Sequence, residues 1–229
     1  MEPKSNSPVP RTKRILIVDD HPVVRQGLVL TLGREPGWVI CGEAETLLDA
    51  RSILNQERPD LILADLDLQG ASGLDLIKEI KQFHPHVLVL VLSAHDEDLY
   101  AERALRAGAR GYMMKKERPE KLIAAIHTVL NGELAISEII KAKILENLVG
   151  SREGRPGFSI DKLTDRELEV FRMVGLGLPT RGIAEKLSVS VKTVEAHFAH
   201  IKQKLGLQSG MELHHHAFHW TNKMAGDAD

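Results

Sequence analysis

The chain has 229 residues, with 30 Lys+Arg against 32 Asp+Glu for a formal charge of −2, 43% hydrophobic and 27% charged residues. That balance belongs to a folded globular protein of one or two domains and excludes collagen, coiled-coil and supercharged classes. A single cysteine, Cys41, rules out an internal disulfide and points to a reducing, cytoplasmic compartment. The longest uninterrupted apolar run, Val87 to Leu92, falls far short of the ~20 residues of a membrane span.

The first segment, 1–13, is polar and proline-bearing and reads as a flexible tail rather than a secretory signal. From Ile15 onward, short apolar runs recur every 22 to 27 residues or so: Ile15–Val18, Trp38–Cys41, Leu61–Ala64, Val87–Leu92 and Tyr112–Met114. Between them the apolar residues have helical spacing, as in Leu74, Ile77 and Ile80, or Leu122, Ala125, Ile126 and Val129. Pro119 suits the first turn of the last helix, and Gly132 closes it. Five βα units over 14–132 predict a doubly wound α/β domain, (βα)5, with the flavodoxin-like strand order 2-1-3-4-5. Strands apolar on both faces belong in a parallel sheet covered on both sides, with the ligand crevice at their carboxyl ends.

The polar residues at those ends are Asp19 and Asp20 after strand one, Asp65 and Asp67 after strand three, Ser93 ending strand four and Lys115 ending strand five. Taken singly, an Asp after a strand is commonly a cap or turn residue. Together, carboxylates at one spot repel unless a cation joins them, and a hard divalent ion such as Mg²⁺ suits Asp19, Asp20 and Asp65. A hydroxyl and an ammonium beside a carboxylate can hold phosphoryl oxygens in transfer, with Asp65 as the nucleophile.

Residues 133–159 read as a linker: an apolar stripe of Ile139, Ile140, Ile144, Leu145 and Leu148 on a helix, then a glycine-rich tether from Gly150 to Gly157. Residues 160–224 contain no strand-like run and predict a small all-α domain of four short helices, a pattern shared by many small bundles, with a tail at 225–229. Thr164-Asp165-Arg166-Glu167 and Ser209-Gly210-Met211-Glu212 are capping boxes, and Thr180 is placed to cap a short second helix. Ser188-Val189-Ser190 turns the chain into a third helix from Val191 to Leu205. Val194, Phe198, Ile201 and Leu205 line one side of it, leaving Lys192, Thr193, Glu195, Ala196, Ala199 and Lys202 on the other. Small and polar groups at the start of such a helix are what a DNA major groove admits. From Phe158 to Asp229 nine Lys+Arg balance nine Asp+Glu, so phosphate contacts fall to local cations: Arg181, Lys186, Lys192, Lys202 and Lys204. Of the histidines in this half, His215 with His219 and His197 with His200 have helical spacing. Metal binding is conceivable for those pairs, but His214, His215 and His216 diverge by about 100° per residue and cannot converge, so a metal site is the minority reading, and His197 reads as packed within the bundle.

ILIVDDHPVVRQGL (15–28), DLDLQGASG (65–73), Ser93-Ala94 and GARGYMMK (108–115) resemble the receiver domain of bacterial two-component response regulators. LTDRELEV (163–170), IAEKLSVSVKTVEAH (183–197) and IKQKLGL (201–207) resemble the LuxR-type helix-turn-helix domain, and the order of the two is that of NarL/FixJ-type transcription factors. The resemblance implies a phosphorylation-gated transcriptional regulator, not an enzyme in its own right. Asp65 is the implied phospho-acceptor, with Asp19 and Asp20 on Mg²⁺, Ser93 and Lys115 on the phosphoryl group, and Tyr112 as a switch aromatic that turns inward on phosphorylation. The implied partners are a histidine kinase, double-stranded promoter DNA contacted by Thr180, Arg181, Ser190 and the third helix, and a second copy of the chain in a homodimer; no membrane is involved. Gln69 stands where the family usually has proline. Rival readings are an aspartate-nucleophile phosphohydrolase, disfavoured by an acceptor after strand three and no cap insertion, and a signalling adaptor that does not bind DNA, favoured by the neutral second domain.

Overall fold

The computed structural model describes residues 12–68, 71–149 and 160–226. The expectations for the amino-terminal tail, Gln69, the Leu148 side chain, the Gly150–Gly157 tether and the final residues lie outside the described residues. Five parallel strands form one sheet in the order β2-β1-β3-β6-β7: β1 Lys13–Val18, β2 Trp38–Ala44, β3 Leu61–Ala64, β6 Leu88–Ser93 and β7 Gly111–Met114. This is the 2-1-3-4-5 order, since β4 (Asp67–Leu68) and β5 (Ala71–Ser72) are a small separate antiparallel pair directly after β3.

Alternation along the strands builds two cores. Leu16, Val18, Ile62, Ala64, Val89 and Val91 point to the side covered by α2 (Leu47–Glu57), α3 (Gly73–Phe83) and α4 (Glu97–Ala107). Their neighbours Ile15, Ile17, Leu61, Leu63, Leu90 and Leu92 meet α1 (Pro22–Leu32) and α5 (Pro119–Leu130) on the other. Pro119 opens α5, and Gly132, at φ +86°, lies just past its end.

The linker is tied to the receiver. The Tyr112 amide donates to the Ala135 carbonyl at 2.9 Å and the Ala135 amide to the Arg110 carbonyl at 3.0 Å, extending the pairing beyond the β7 edge. Helix α6 (Glu138–Val149) follows, and only part of its expected stripe is covered: Ile140 is buried and Ile144 partly so, while Ile139 and Leu145 are 71% and 61% exposed. Adjacent residues lie about 100° apart on a helix, and among the described side chains it is the i, i+4 pair Ile140 and Ile144 that turns inward.

The second domain comprises α7 (Asp165–Gly175), α8 (Thr180–Lys186), α9 (Val191–Leu205) and α10 (Gly210–Gly226), preceded by a 3₁₀ turn at Ile160–Lys162. The Thr164 box forms in full: the Glu167 amide donates to Thr164 Oγ1 at 3.3 Å and the Thr164 amide to Glu167 Oε2 at 2.7 Å. At Ser209 the hydroxyl accepts from the Glu212 amide, but the Glu212 carboxylate reaches one residue further back, to the Gln208 amide. Thr180 does not cap α8. It is the first helical residue, and Pro179, extended at ψ 155°, stands in the cap position without a side-chain bond. Phe171, Leu168, Ile183, Val194, Ile201, Leu213 and Ala217 form the centre of this bundle.

The domains meet through α3 and α4 on one side and the entry to α7 on the other. Arg103 donates to the Leu163 carbonyl at 2.9 Å, the Ile160 carbonyl at 3.2 Å and Asp165 Oδ1 at 3.1 Å, and Lys78 reaches Asp165 Oδ2 at 2.8 Å. Burial acts to raise the Asp165 pKa, but the hydrogen bonds and charges of Lys78 and Arg103 outweigh it, and the carboxyl is held below its ordinary 3.8. A carboxylate with a lowered folded pKa stabilises the folded state above its unfolded value, and that contribution disappears as pH falls through the folded value. Asp165→Asn is therefore expected to cost about 1.5–3 kcal/mol near neutral pH, the usual worth of hydrogen bonds to a charged group. The gap between wild type and variant in thermal melts should close as the solution is acidified below about pH 4; a gap independent of pH would contradict the assignment.

Candidate functional site

The carboxyl end of the sheet gathers the acidic residues because β1 and β3 are neighbours. Val18 pairs with Ala64, so the chain runs from Val18 into Asp19 and from Ala64 into Asp65 side by side. Asp19 and Asp65 are 2% and 3% exposed. The Lys115 ammonium, just past β7, bridges them at 2.6 Å from Asp19 Oδ2 and 2.7 Å from Asp65 Oδ2. The other Asp65 oxygen accepts from the Leu66 amide at 2.7 Å, and the other Asp19 oxygen from the His21 amide at 2.8 Å.

Burial pushes the Asp65 carboxyl up to about 6, with the Asp19 and Asp67 charges adding to it and Lys115 opposing. For Lys115, burial works against the ammonium, but Asp19 and Asp65 outweigh it and the pKa is raised. Ligand atoms of Asp19, Asp20, Asp65 and also His21 lie within 4.8 Å of one another. Asp20 Oδ1 is buried without a hydrogen-bond partner: His21 Nδ1 is 2.6 Å away, at ion-pair distance but without hydrogen-bond geometry. A buried carboxylate oxygen with no hydrogen bond, beside two further buried carboxylates, fits a hard divalent cation. Asp19, Asp20 and Asp65 would hold Mg²⁺, which would supply neutralisation of charge on phosphoryl oxygens.

Ser93 is fully buried at the end of β6, and its hydroxyl accepts from the His95 amide at 3.1 Å. Tyr112 on β7 is expected to turn inward on phosphorylation; in the structure its ring is already inside, 3% exposed, with its hydroxyl donating to the His95 carbonyl at 2.9 Å. Burial raises its pKa.

Two participants went unrecognised in the sequence. His95 is buried, bonds Asp67 Oδ1 through Nε2 at 2.9 Å and stacks on Tyr100 with ring centroids 4.7 Å apart. Arg172, on α7 of the second domain, lies 3.8 Å from Asp67 Oδ2, and its Nε has no hydrogen-bond partner. Burial acts to raise the Asp67 pKa, but His95, Arg172 and Lys186 outweigh it and the carboxyl is held down. Asp67, two residues from Asp65, is thus shared between the domains. The only hint in the sequence is the position of His95 two residues after Ser93.

In the helix-turn-helix, Ser190 caps α9, accepting from the Thr193 amide at 3.1 Å. Lys192, Thr193, Glu195, Ala196 and Ala199 are exposed, as are Arg181, Lys186 and Ser190, while Thr180 and Lys202 are half-buried. Lys204, half-buried like Lys202, is already paired: its ammonium meets the buried Glu167 Oε2 at 2.6 Å.

Residues 15–127 match the model of the response regulator receiver domain, and 161–217 that of the bacterial regulatory proteins of the luxR family. The oxygen regulatory protein NreC of Staphylococcus carnosus (strain TM300) is 36% identical over 204 residues, covering 87% of this chain and 94% of that protein. The chain belongs to the LuxR-type two-component response regulators. A crystallised LuxR-family response regulator from Aurantimonas sp. SI85-9A1 shares 34% identity over 61% of this chain and 99% of its own, with a TM-score of 0.56. RcsB of Salmonella enterica serovar Typhimurium, solved bound to promoter rprA with phosphomimetic BeF3⁻, has the same fold at 24% identity and a TM-score of 0.62, covering 90% and 98% of the two chains.

Within this regulator the loop that follows Asp65 has little slack. A Cβ on Gly73 would lie 2.1 Å from the Asp65 carbonyl oxygen and 2.8 Å from Leu66 Cα, and the Gly73 amide donates to the Leu66 carbonyl. Gly73→Ala must push the backbone that carries Asp65, at about 1–3 kcal/mol of stability. Denaturant titration should register that loss, and the rate of labelling by a small phosphodonor should fall with it; wild-type stability and rate together would show that α3 yields instead.

Proposed function

We propose that this response regulator takes a phosphoryl group onto Asp65 from a phosphohistidine of a sensor kinase and, as a homodimer, reads promoter DNA with α9. The supporting observation is the buried Asp65 carboxylate held between the Lys115 ammonium and the Asp19–Asp20 pair. An Asp65 oxygen attacks phosphorus, the P–N bond to imidazole breaks and an acyl phosphate forms. Lys115, which pairs with Asp65, and Ser93, at the end of β6, would receive the transferred oxygens. The chain is then substrate rather than enzyme.

The domain contact runs through α7 and leaves the α9 surface exposed. This favours phosphorylation acting on dimer assembly over phosphorylation unmasking a covered recognition helix. Promoter binding is a property of the RcsB complex, brought here through the exposed start of α9, where Lys192 and Thr193 face outward beside Ala196, a side chain small enough for base edges to approach.

Incubation with a small phosphodonor and Mg²⁺ should add one phosphoryl group by intact mass, and Asp65→Asn should abolish it; persistent labelling of the variant would place the acceptor elsewhere. In fluorescence anisotropy on promoter fragments, Lys192→Ala and Lys202→Ala should weaken binding and each lower the salt slope by about one per lost phosphate contact. Affinity independent of salt and sequence would defeat the DNA-binding reading.

A further inference from the structure

Helix α10 carries a second cluster of possible ligands, remote in chemistry from the acidic pocket. Its buried side is Leu213 and Ala217, with Trp220 against Phe171 at a ring-centroid distance of 5.6 Å. The opposite side presents His215 and His219, both exposed and one turn apart. Their ring centroids are 4.4 Å apart with an interplanar angle of 63°. Each ring is braced by a neighbour: His216 lies edge-on to His215 at 5.7 Å, and Phe218 edge-on to His219 at 6.0 Å.

Two imidazoles at i, i+4 on one helix face are the spacing by which helices chelate zinc. Rings this close allow one nitrogen of each to meet the same ion at the usual Zn–N distance of about 2.0–2.1 Å. The local charge is mixed: Glu212 stands three residues before His215, and Lys223 four residues after His219, so the Glu212 end of the pair is the favourable side for a cation. Chelation also gains from the shared helix, because once one ring binds, the second meets the ion at a high effective concentration.

We propose that His215 and His219 form a chelating site for a divalent transition ion of the imidazole-preferring class, zinc, nickel or copper. It is distinct from the oxygen-lined pocket around Asp65. Ligand hardness separates the two: carboxylates suit Mg²⁺, whereas imidazoles suit zinc, nickel and copper. With two protein ligands the ion keeps open positions, filled by water or by a donor from another macromolecule.

The test is equilibrium dialysis of the full chain against Zn²⁺ with elemental analysis, Mg²⁺ being held in large excess to occupy the acidic pocket. One zinc per chain is expected. His215→Gln and His219→Gln should each weaken binding by about tenfold or more, the loss expected when a chelate becomes a single contact. His214→Gln, a quarter-turn away, should bind as wild type does. Wild-type affinity in either of the first two variants, an equal loss in the third, or no zinc bound at all would overturn the proposal. Circular dichroism on each variant confirms that α10 is intact.

Discussion

The structure turns on one ammonium between two buried carboxylates. Asp19 and Asp65 stand at the ends of neighbouring strands with almost no access to water, where uncompensated charge is costly. Lys115 makes their proximity tolerable. It comes from β7, on the far side of β6, so its side chain spans the end of the strand that carries Ser93. Any group that changes the charge at Asp65 therefore changes what Lys115 binds, and Tyr112 lies three residues before Lys115 on β7. The acceptor and the aromatic are parts of one strand-edge assembly, with His95 closing it through its bonds to Ser93, Tyr112 and Asp67.

Asp67 extends that assembly beyond the receiver. It shares its two oxygens between His95 on one side and Arg172 of α7 on the other. A phosphoryl group on Asp65 would add negative charge two residues away, in a setting where fields are poorly screened. Arg172 is the cation of the second domain that would feel it most directly, and it stands on the helix whose first residue, Asp165, is already clamped by Lys78 and Arg103. On the proposed function, a signal from Asp65 to the second domain would pass through α7, whose contacts with the receiver leave the outer surface of α9 exposed.

Much of this was legible in the sequence for a physical reason. Fully buried parallel strands show as unbroken apolar runs, and the polar residues that end them must converge once the strand order is set; Asp19, Asp65, Ser93 and Lys115 were found this way. What stayed hidden depends on packing between elements distant in sequence. Five apolar residues on α6 look alike, yet the receiver covers Ile140 and leaves Ile139 in water. Lys204 and Lys202 look equally free, but one is drawn inward by the Glu167 carboxylate of the capping box. Thr180 has the chemistry of a cap, and Pro179 holds the position by its extended backbone. Arg172 has no signal at all, because its partner lies in the other domain.

Removing Lys204 from the exposed set sharpens the electrostatic argument about the second domain. Arg166 is likewise committed, to Glu169 and the Leu187 carbonyl, and Arg172 to Asp67. Of the cations in and beside the motif helices, Arg181, Lys186, Lys192 and Lys202 remain for a phosphate backbone, and Arg181 is partly engaged with Glu185 at 3.2 Å. Since the salt-dependent share of affinity scales with the number of phosphates neutralised, so few cations leave one such domain little of it on the proposed reading. Two joined copies turn the second engagement into an intramolecular event and multiply the affinity without any new contact. On the proposed homodimeric reading, a neutral helix-turn-helix domain suits control by assembly: its occupancy of DNA would follow the monomer–dimer balance more steeply than that of a strongly basic domain able to bind alone.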